Sequence, residues 1–242
     1  MDKGYSYFKH LKACEETGCP ICHLVTKCSR EYLEQLFYES VTDVPTRARL
    51  ITSFGFCNWH TWQVPALPAI CAPDMGFAIF ASDLLGKFNL LSDRITAENR
   101  RRRPLKSLLT KIRDKLSSLK ERPCPACVYI REVESYHLKD LLVFIRDHEF
   151  LEVYKASRGI CLPHFMYLQE HFFTHPNFPI LLGLQRSKAQ SLRDTLEEFI
   201  RKLDHRFQHQ LTTEERGAWK VAMEFLGGKP GVFPNEMGRG RR

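Results

Sequence analysis

The sequence predicts an all-α protein, internally duplicated, with a CxxC/CxxH metal site in each copy. Three observations carry this expectation. "CPIC" at Cys19 and Cys22 recurs as "CPAC" at Cys124 and Cys127, an offset of 105 residues, and "SFGFCNWH" ending at His60 recurs as "SRGICLPH" ending at His164, with an offset of 104 between Cys57 and Cys161. Apolar residues between the motifs recur at three- and four-residue intervals, the period of a helix face, and no strand-like alternation is present. In each copy leucines follow the second cysteine at the same two places, Leu33 and Leu36 in one and Leu138 and Leu141 in the other. Self-similarity at a fixed period points to a repeated structural unit.

Taken in order, residues 1–99 form the first metal-binding helical repeat. Its N-terminus, "MDKGYSYFKHLKACEETG", lacks the apolar core of a signal peptide, and no later stretch approaches about eighteen uninterrupted apolar residues. A cytoplasmic location without a transmembrane segment is therefore expected. "CPIC" opens the helical run "SREYLEQLFYES", and after "GFCNWH" a longer helix is expected near 75–98. Residues 100–122 form a basic amphipathic connector. Proline at 104 suits a first helical turn, and Leu105, Leu108, Leu109, Ile112, Leu116 and Leu119 share one face. Residues 123–228 form the second repeat, with helical runs at "YIREVESYHLKDLLVFIRD" and near 178–207. It closes on "TTEERGAWKVAMEFLGG", where Thr212 and Glu215 are placed for a capping box and the glycines can end the helix. Residues 229–242, rich in glycine, proline and arginine, read as a flexible tail.

Bulk composition fits this plan. The chain has 242 residues, 43% hydrophobic and 26% charged, so it can bury a core without staples. Its net charge of +8 is local. Ten basic residues against Asp114 and Glu121 lie between Arg100 and Arg122, which leaves the remainder balanced. Arg100, Arg101, Arg102, Arg103, Lys106, Lys111 and Arg113 are the candidate contacts for nucleic-acid phosphates or another anionic surface; a solvated connector would carry the same charge. No aromatic-basic signature of an RNA-binding module accompanies them.

The nine cysteines carry the chemistry. Cytosolic thiols stay reduced, and clustered ones there bind metal or do redox work more often than they form disulfides. Each copy offers CxxC, a gap of 34 or 33 residues, then CxxH. Three thiolates and one imidazole complete a tetrahedral zinc site, so the candidate ligands are Cys19, Cys22, Cys57, His60, Cys124, Cys127, Cys161 and His164, two zinc ions per chain. Such gaps exceed those of compact zinc fingers, and a helical hairpin must return the second pair. CPxC at a helix start also places thiols where the helix dipole and free N–H groups favour thiolate. Gly55 and Gly159, each two residues before the third cysteine, suit a tight turn there. Pairing stays open: Cys19 and Cys22 could close with Cys57 and His60, or the copies could exchange their second pairs.

Competing readings weigh less. "CPICH" is a covalent-haem string, but the second copy reads "CPACV", with Val128 in place of His23. A thioredoxin-type site lacks its βαβ context and leaves CxxH unexplained. Thiolate-rich sites also hold iron–sulfur clusters, which remain the alternative cofactor, and a thiol-based redox protein or sensor is the alternative function. Cys14, Cys28 and Cys71 have no counterparts and read as core thiols. His171 and His175 in "HFFTH" lack the glutamate of a zinc-protease motif.

"CPICHL", "GFCNWHTW" and "EERGAWKVAMEFLGGKPG" together resemble an uncharacterised prokaryotic family of domain-of-unknown-function proteins with CPxC and GFCxxH motifs. The resemblance touches both ends of the chain, although "SRGICLPH" departs from the phenylalanine of the first copy. It implies a shared metal-site architecture and no activity. With no phosphate loop, nucleophile elbow or interpretable acid pair, the expectation is a binding or regulatory module, more a partner for nucleic acid or protein than an enzyme.

Overall fold

A computed structural model describes residues 3–100 and 123–232; the side chains of residues 98–100 and 208 are not described. The basic connector past residue 100 and the tail beyond residue 232 lie outside the described residues. All regular structure among the described residues is helical.

Ten α-helices occur among them: α1 (Tyr5–Glu15), α2 (Pro20–Gln35), α3 (Val44–Thr52), α4 (Asn58–Thr61), α5 (Pro73–Arg100), α6 (Pro125–Phe144), α7 (His148–Ala156), α8 (Leu162–Phe172), α9 (Phe178–Lys202) and α10 (Thr213–Gly227). Local chemistry sets many of their ends. Asp43 and Asp147 accept from the backbone N–H groups of Thr46 and Phe150, capping α3 and α7. Thr212 and Glu215 form the expected capping box at the start of α10. The prolines at 20 and 125 occupy first helical turns, where the missing N–H costs nothing.

The described residues fall into two compact units. One holds residues 3–27 with 132–232, and the other holds 28–100 with 123–131. The division falls inside α2 and inside α6, so each unit draws on residues from both sides of the connector.

In the first unit α1 packs on α7, and α10 packs on α8 and α9. Tyr7 sits fully buried with its ring edge-on to Phe144, and Phe144 in turn meets Phe150. Leu138, Leu141, Ile145, Tyr154, Ile160, Leu168 and Leu181 complete this interior. In the second unit Leu33, Leu36, Phe37, Leu50, Val64, Leu67 and Phe80 form a core that also includes Cys71, Cys124 and Cys127. All four leucines at matching distances from the CPxC motifs, Leu33, Leu36, Leu138 and Leu141, are buried. They lie one helical turn apart in each pair, which explains their recurrence.

One segment combines apolar length with a place in the core. The stretch Ala69–Ala97, most of it α5, is long and apolar enough by length and composition to cross a membrane. It escapes a search for uninterrupted apolar runs because Gly76, Ser82, Asp83 and Gly86 break it up. Its first half nevertheless belongs to the second unit's core: Phe80 is buried there with Phe77 beside it, and Asp83 pairs with Arg47 of α3.

Candidate metal centres

The structure resolves the pairing that spacing left open: each CxxC meets the CxxH that lies farther from it in the sequence or before it, not the one that follows it directly. Cys19, Cys22, Cys161 and His164 converge in the first unit, and Cys57, His60, Cys124 and Cys127 converge in the second. Within each set one donor atom from every residue lies within 4.8 Å of the others.

Each set is built from two helix starts. Cys19 and Cys124 directly precede α2 and α6, and their carbonyls accept the N–H groups of His23 and Val128, so Cys22 and Cys127 fall in the first turn. Cys161 and Cys57 are the N-caps of α8 and α4, and neither spends its side chain on capping. His164 and His60 follow one turn in, facing back toward the cap sulfur. Two helix N-termini thus aim their free N–H groups and positive dipole ends at one cluster of sulfurs.

The turn before each CxxH uses glycine as expected. Gly159 has φ +74° and Gly55 φ +81°, a region where a side chain is strained. At Gly159 the site is also tightly braced: a Cβ there would lie 2.7 Å from Gln185 Oε1 and from Lys188 Cδ. Gln185 Oε1 accepts from the Ile160 N–H and from the buried Tyr154 hydroxyl. The ligand loop of the first set is therefore tied to α7 and α9. In the second set Ser53 Oγ bonds the Gly55 carbonyl, and Phe54 joins Gly55 at positive φ, at 57°.

Distances in the first set are 3.8 Å for Cys22 Sγ to Cys161 Sγ, and 3.5, 3.6 and 3.1 Å from His164 Nδ1 to the sulfurs of Cys19, Cys22 and Cys161. The second set gives 3.5 Å for Cys57 Sγ to Cys127 Sγ, and 3.1, 3.6 and 3.4 Å from His60 Nδ1 to Cys57, Cys124 and Cys127. Both imidazoles present Nδ1 inward. Spacings of this kind are the edges of a small tetrahedron, large enough for one metal ion at the centre.

Protons are unevenly shared within each set. Hydrogen bonds from Cys19 and Cys22 push the Cys161 thiol far up, and those from Cys124 and Cys57 do the same to Cys127, while one cysteine of each set is pushed down. Burial raises the Cys19 thiol, but hydrogen bonds from Cys161, Cys22 and His164 outweigh it and hold Cys19 well below the ordinary thiol value. Hydrogen bonds from the Cys124 and Cys127 thiols similarly hold Cys57 far below it. Burial would lower His60, yet Cys124 and Cys57 push it up to about 9, and His164 is raised in the same way. Each set thus places a cysteine that favours the thiolate beside thiols that hold their protons and a histidine that favours its protonated form. A bound cation replaces those protons, so binding releases them.

The surroundings differ. All four residues of the first set are buried, whereas Cys57 is half-buried. Glu134 Oε1 lies 2.9 Å from His164 Nε2, and the Lys229 N–H donates to Cys22 Sγ at 3.4 Å. Sequence reasoning missed Glu134, Gln185 and Lys229. It assigned 229–242 to a flexible tail, and of that segment Lys229 makes this sulfur contact while Val232 is buried.

The family model described as a family of unknown function, DUF6062, matches residues 11–231. The chain belongs to DUF6062. No curated protein and no solved structure matches it. The matched span of the DUF6062 chain contains all eight cysteine and histidine donors. A third cluster, His10, His137 and Asp140, also gathers possible ligand atoms in this protein, but both His10 nitrogens face carbonyls, Nδ1 at 2.8 Å from Ser6 O and Nε2 at 3.2 Å from His137 O. The remaining cysteines fit a packing role. Cys14 and Cys71 are buried, and burial pushes the Cys14 thiol up to about 12. His171 is exposed against Tyr167, and His175 Nδ1 accepts from the Asn177 N–H.

Proposed function

We propose that this chain is a cytosolic zinc protein with two closed, structural Cys₃His sites, arising by internal duplication and acting as a binding or regulatory module. The observation that carries the reading is the spacing of the donor atoms. Zinc–sulfur bonds of about 2.3 Å and zinc–nitrogen bonds of about 2.0–2.1 Å in a tetrahedron place sulfurs about 3.8 Å apart and sulfur and nitrogen about 3.6 Å apart. The measured 3.8 and 3.5 Å sulfur pairs, and the 3.4 to 3.6 Å contacts of Nδ1 with the CxxC sulfurs, lie close to those edges. Both CxxH pairs, at 3.1 Å, need to open by about half an ångström to accept the ion. Iron–sulfur clusters distribute their ligands over more than one iron and need wider frames, which favours a single ion over that alternative.

A site with four protein ligands leaves no open position for substrate, which supports binding over catalysis. Zinc would tie two helix starts together in each unit and supply folding energy there. The partner is proposed to be nucleic acid or protein, engaged through Arg100, Arg101, Arg102, Arg103, Lys106, Lys111 and Arg113.

Elemental analysis of the purified chain, with an absorption spectrum, tests the metal. About two zinc ions and no visible band are expected; iron with acid-labile sulfide would overturn zinc, and a metal-free protein cycling a CxxC disulfide would favour the redox reading. Replacing Arg100 to Arg103 by glutamine tests the partner. Loss of nucleic-acid affinity with a shallower salt slope is expected, and an unchanged slope removes that role.

A further inference from the structure

We propose that the two sites divide their labour: the Cys19–Cys22–Cys161–His164 site holds its metal permanently, while the Cys57–His60–Cys124–Cys127 site is a peroxide-sensitive modification site that releases its metal on oxidation. The inference rests on the zinc reading above and deepens it.

Three differences between the sites point the same way. The first is access. Every donor of the first site is buried, whereas the Cys57 sulfur belongs to a half-buried residue at the head of the one-turn helix α4. The second is support for the histidine. Glu134, seven residues after Cys127, places its carboxylate 2.9 Å from His164 Nε2. Seven residues after Cys22 the chain carries Ser29 instead, whose hydroxyl donates to Gln63 Oε1, and among the described residues no carboxylate pairs with His60. A carboxylate behind a ligating histidine fixes its orientation and strengthens it as a ligand. The third is the ligand loop. Gln185 and Tyr154 clamp the turn before Cys161, while the turn before Cys57 holds Phe54 at positive φ, a conformation that costs a bulky residue energy.

The chemistry balances with hydrogen peroxide as oxidant. The Cys57 thiolate attacks one peroxide oxygen, the O–O bond breaks, and hydroxide leaves, giving a sulfenic acid. The Cys127 thiolate, 3.5 Å away, then attacks that sulfur and expels a second hydroxide. Two thiolates have lost two electrons to the peroxide bond, two protons convert both hydroxides to water, and a Cys57–Cys127 disulfide remains. Zinc keeps only Cys124 and His60 and dissociates. Sulfenic acid followed by disulfide is the reversible end of cysteine oxidation, so a thiol reductant restores the site.

The test treats the full-length zinc-loaded chain with hydrogen peroxide in the presence of a chromogenic zinc chelator, and maps cysteine oxidation by mass spectrometry. The expected result is biphasic release. One equivalent leaves about tenfold or more faster than the second, with a disulfide at Cys57 while Cys19, Cys22 and Cys161 remain reduced, and dithiothreitol with added zinc reverses it. Release of both equivalents at one rate, or oxidation of Cys19, Cys22 and Cys161 first, overturns the division while leaving the zinc reading intact. A chain purified without zinc overturns both. As a second measurement, Glu134→Gln should bring the slower phase toward the faster one; an unchanged ratio counts against the carboxylate as a source of the difference.

Discussion

The Glu134 carboxylate stands 2.9 Å from Nε2 of His164, on the side of the ring opposite the three sulfurs. Its negative charge beside Nε2 favours a proton on that nitrogen, which leaves Nδ1 to face the sulfurs. Glu134→Gln is therefore expected to weaken metal binding at this site by about 10–100-fold, the usual effect of losing such a partner. Competition against a chelator of known zinc affinity should show one weakened site and one unchanged.

The exchanged pairing gives a stoichiometric signature. Cys19→Ser with His164→Ala strikes one set twice, so the double variant should retain one zinc. Cys19→Ser with His60→Ala strikes both sets and should retain none. Reversed results in elemental analysis would restore the sequential pairing.

Gly159→Ala places a methyl group at φ +74° and 2.7 Å from Gln185 Oε1. The unfavourable backbone conformation alone is expected to cost about 1–3 kcal/mol. Urea denaturation followed by circular dichroism measures it, and the same variant should bind zinc less tightly because the clamp sits beside Cys161.

Stability should also fall in mild acid for a reason independent of the metal sites. Burial lowers His137 to about 4 and lowers His10, with the rings 5.0 Å apart edge to face. Unfolded histidine takes up a proton near pH 6.5, so between about 6.5 and 4 the unfolded chain binds more protons than the folded one. The stability these neutral rings supply is present above that window and is lost as pH falls through it. Melting temperature measured against pH should drop across the window, and His137→Gln should flatten the drop.

Local features of the candidate site were legible in the sequence. Proline after the first cysteine, glycine before the third and the 3.6-residue leucine spacing each describe one turn of chain, and each position in the structure matches its local chemistry. Partner choice was not local. CxxC and CxxH fit together equally well in either combination, and neither motif says which long-range packing will bring the half-sites together. Glu134 and Gln185 were invisible for a different reason. A single glutamate or glutamine in an amphipathic helix reads as a solvated residue until its burial and its partner are known. The apolar character of α5 was masked by the polar residues that punctuate it, one of which, Asp83, is spoken for by Arg47.

Exchange of the half-sites sets an order of events on the ribosome. Cys19 and Cys22 are made first, yet their partner His164 lies 142 residues beyond Cys22, roughly 7 to 28 s later at about 5–20 residues per second. During that interval Cys57 and His60 emerge as well, and the nascent chain holds four donors that could capture one zinc in the wrong combination. Were such a capture to occur, Cys124 and Cys127 would have to take Cys57 and His60 away from the first pair to reach the observed grouping. If zinc binds as proposed, a chain misligated at that stage would have to give up its ion before the two observed sets could form.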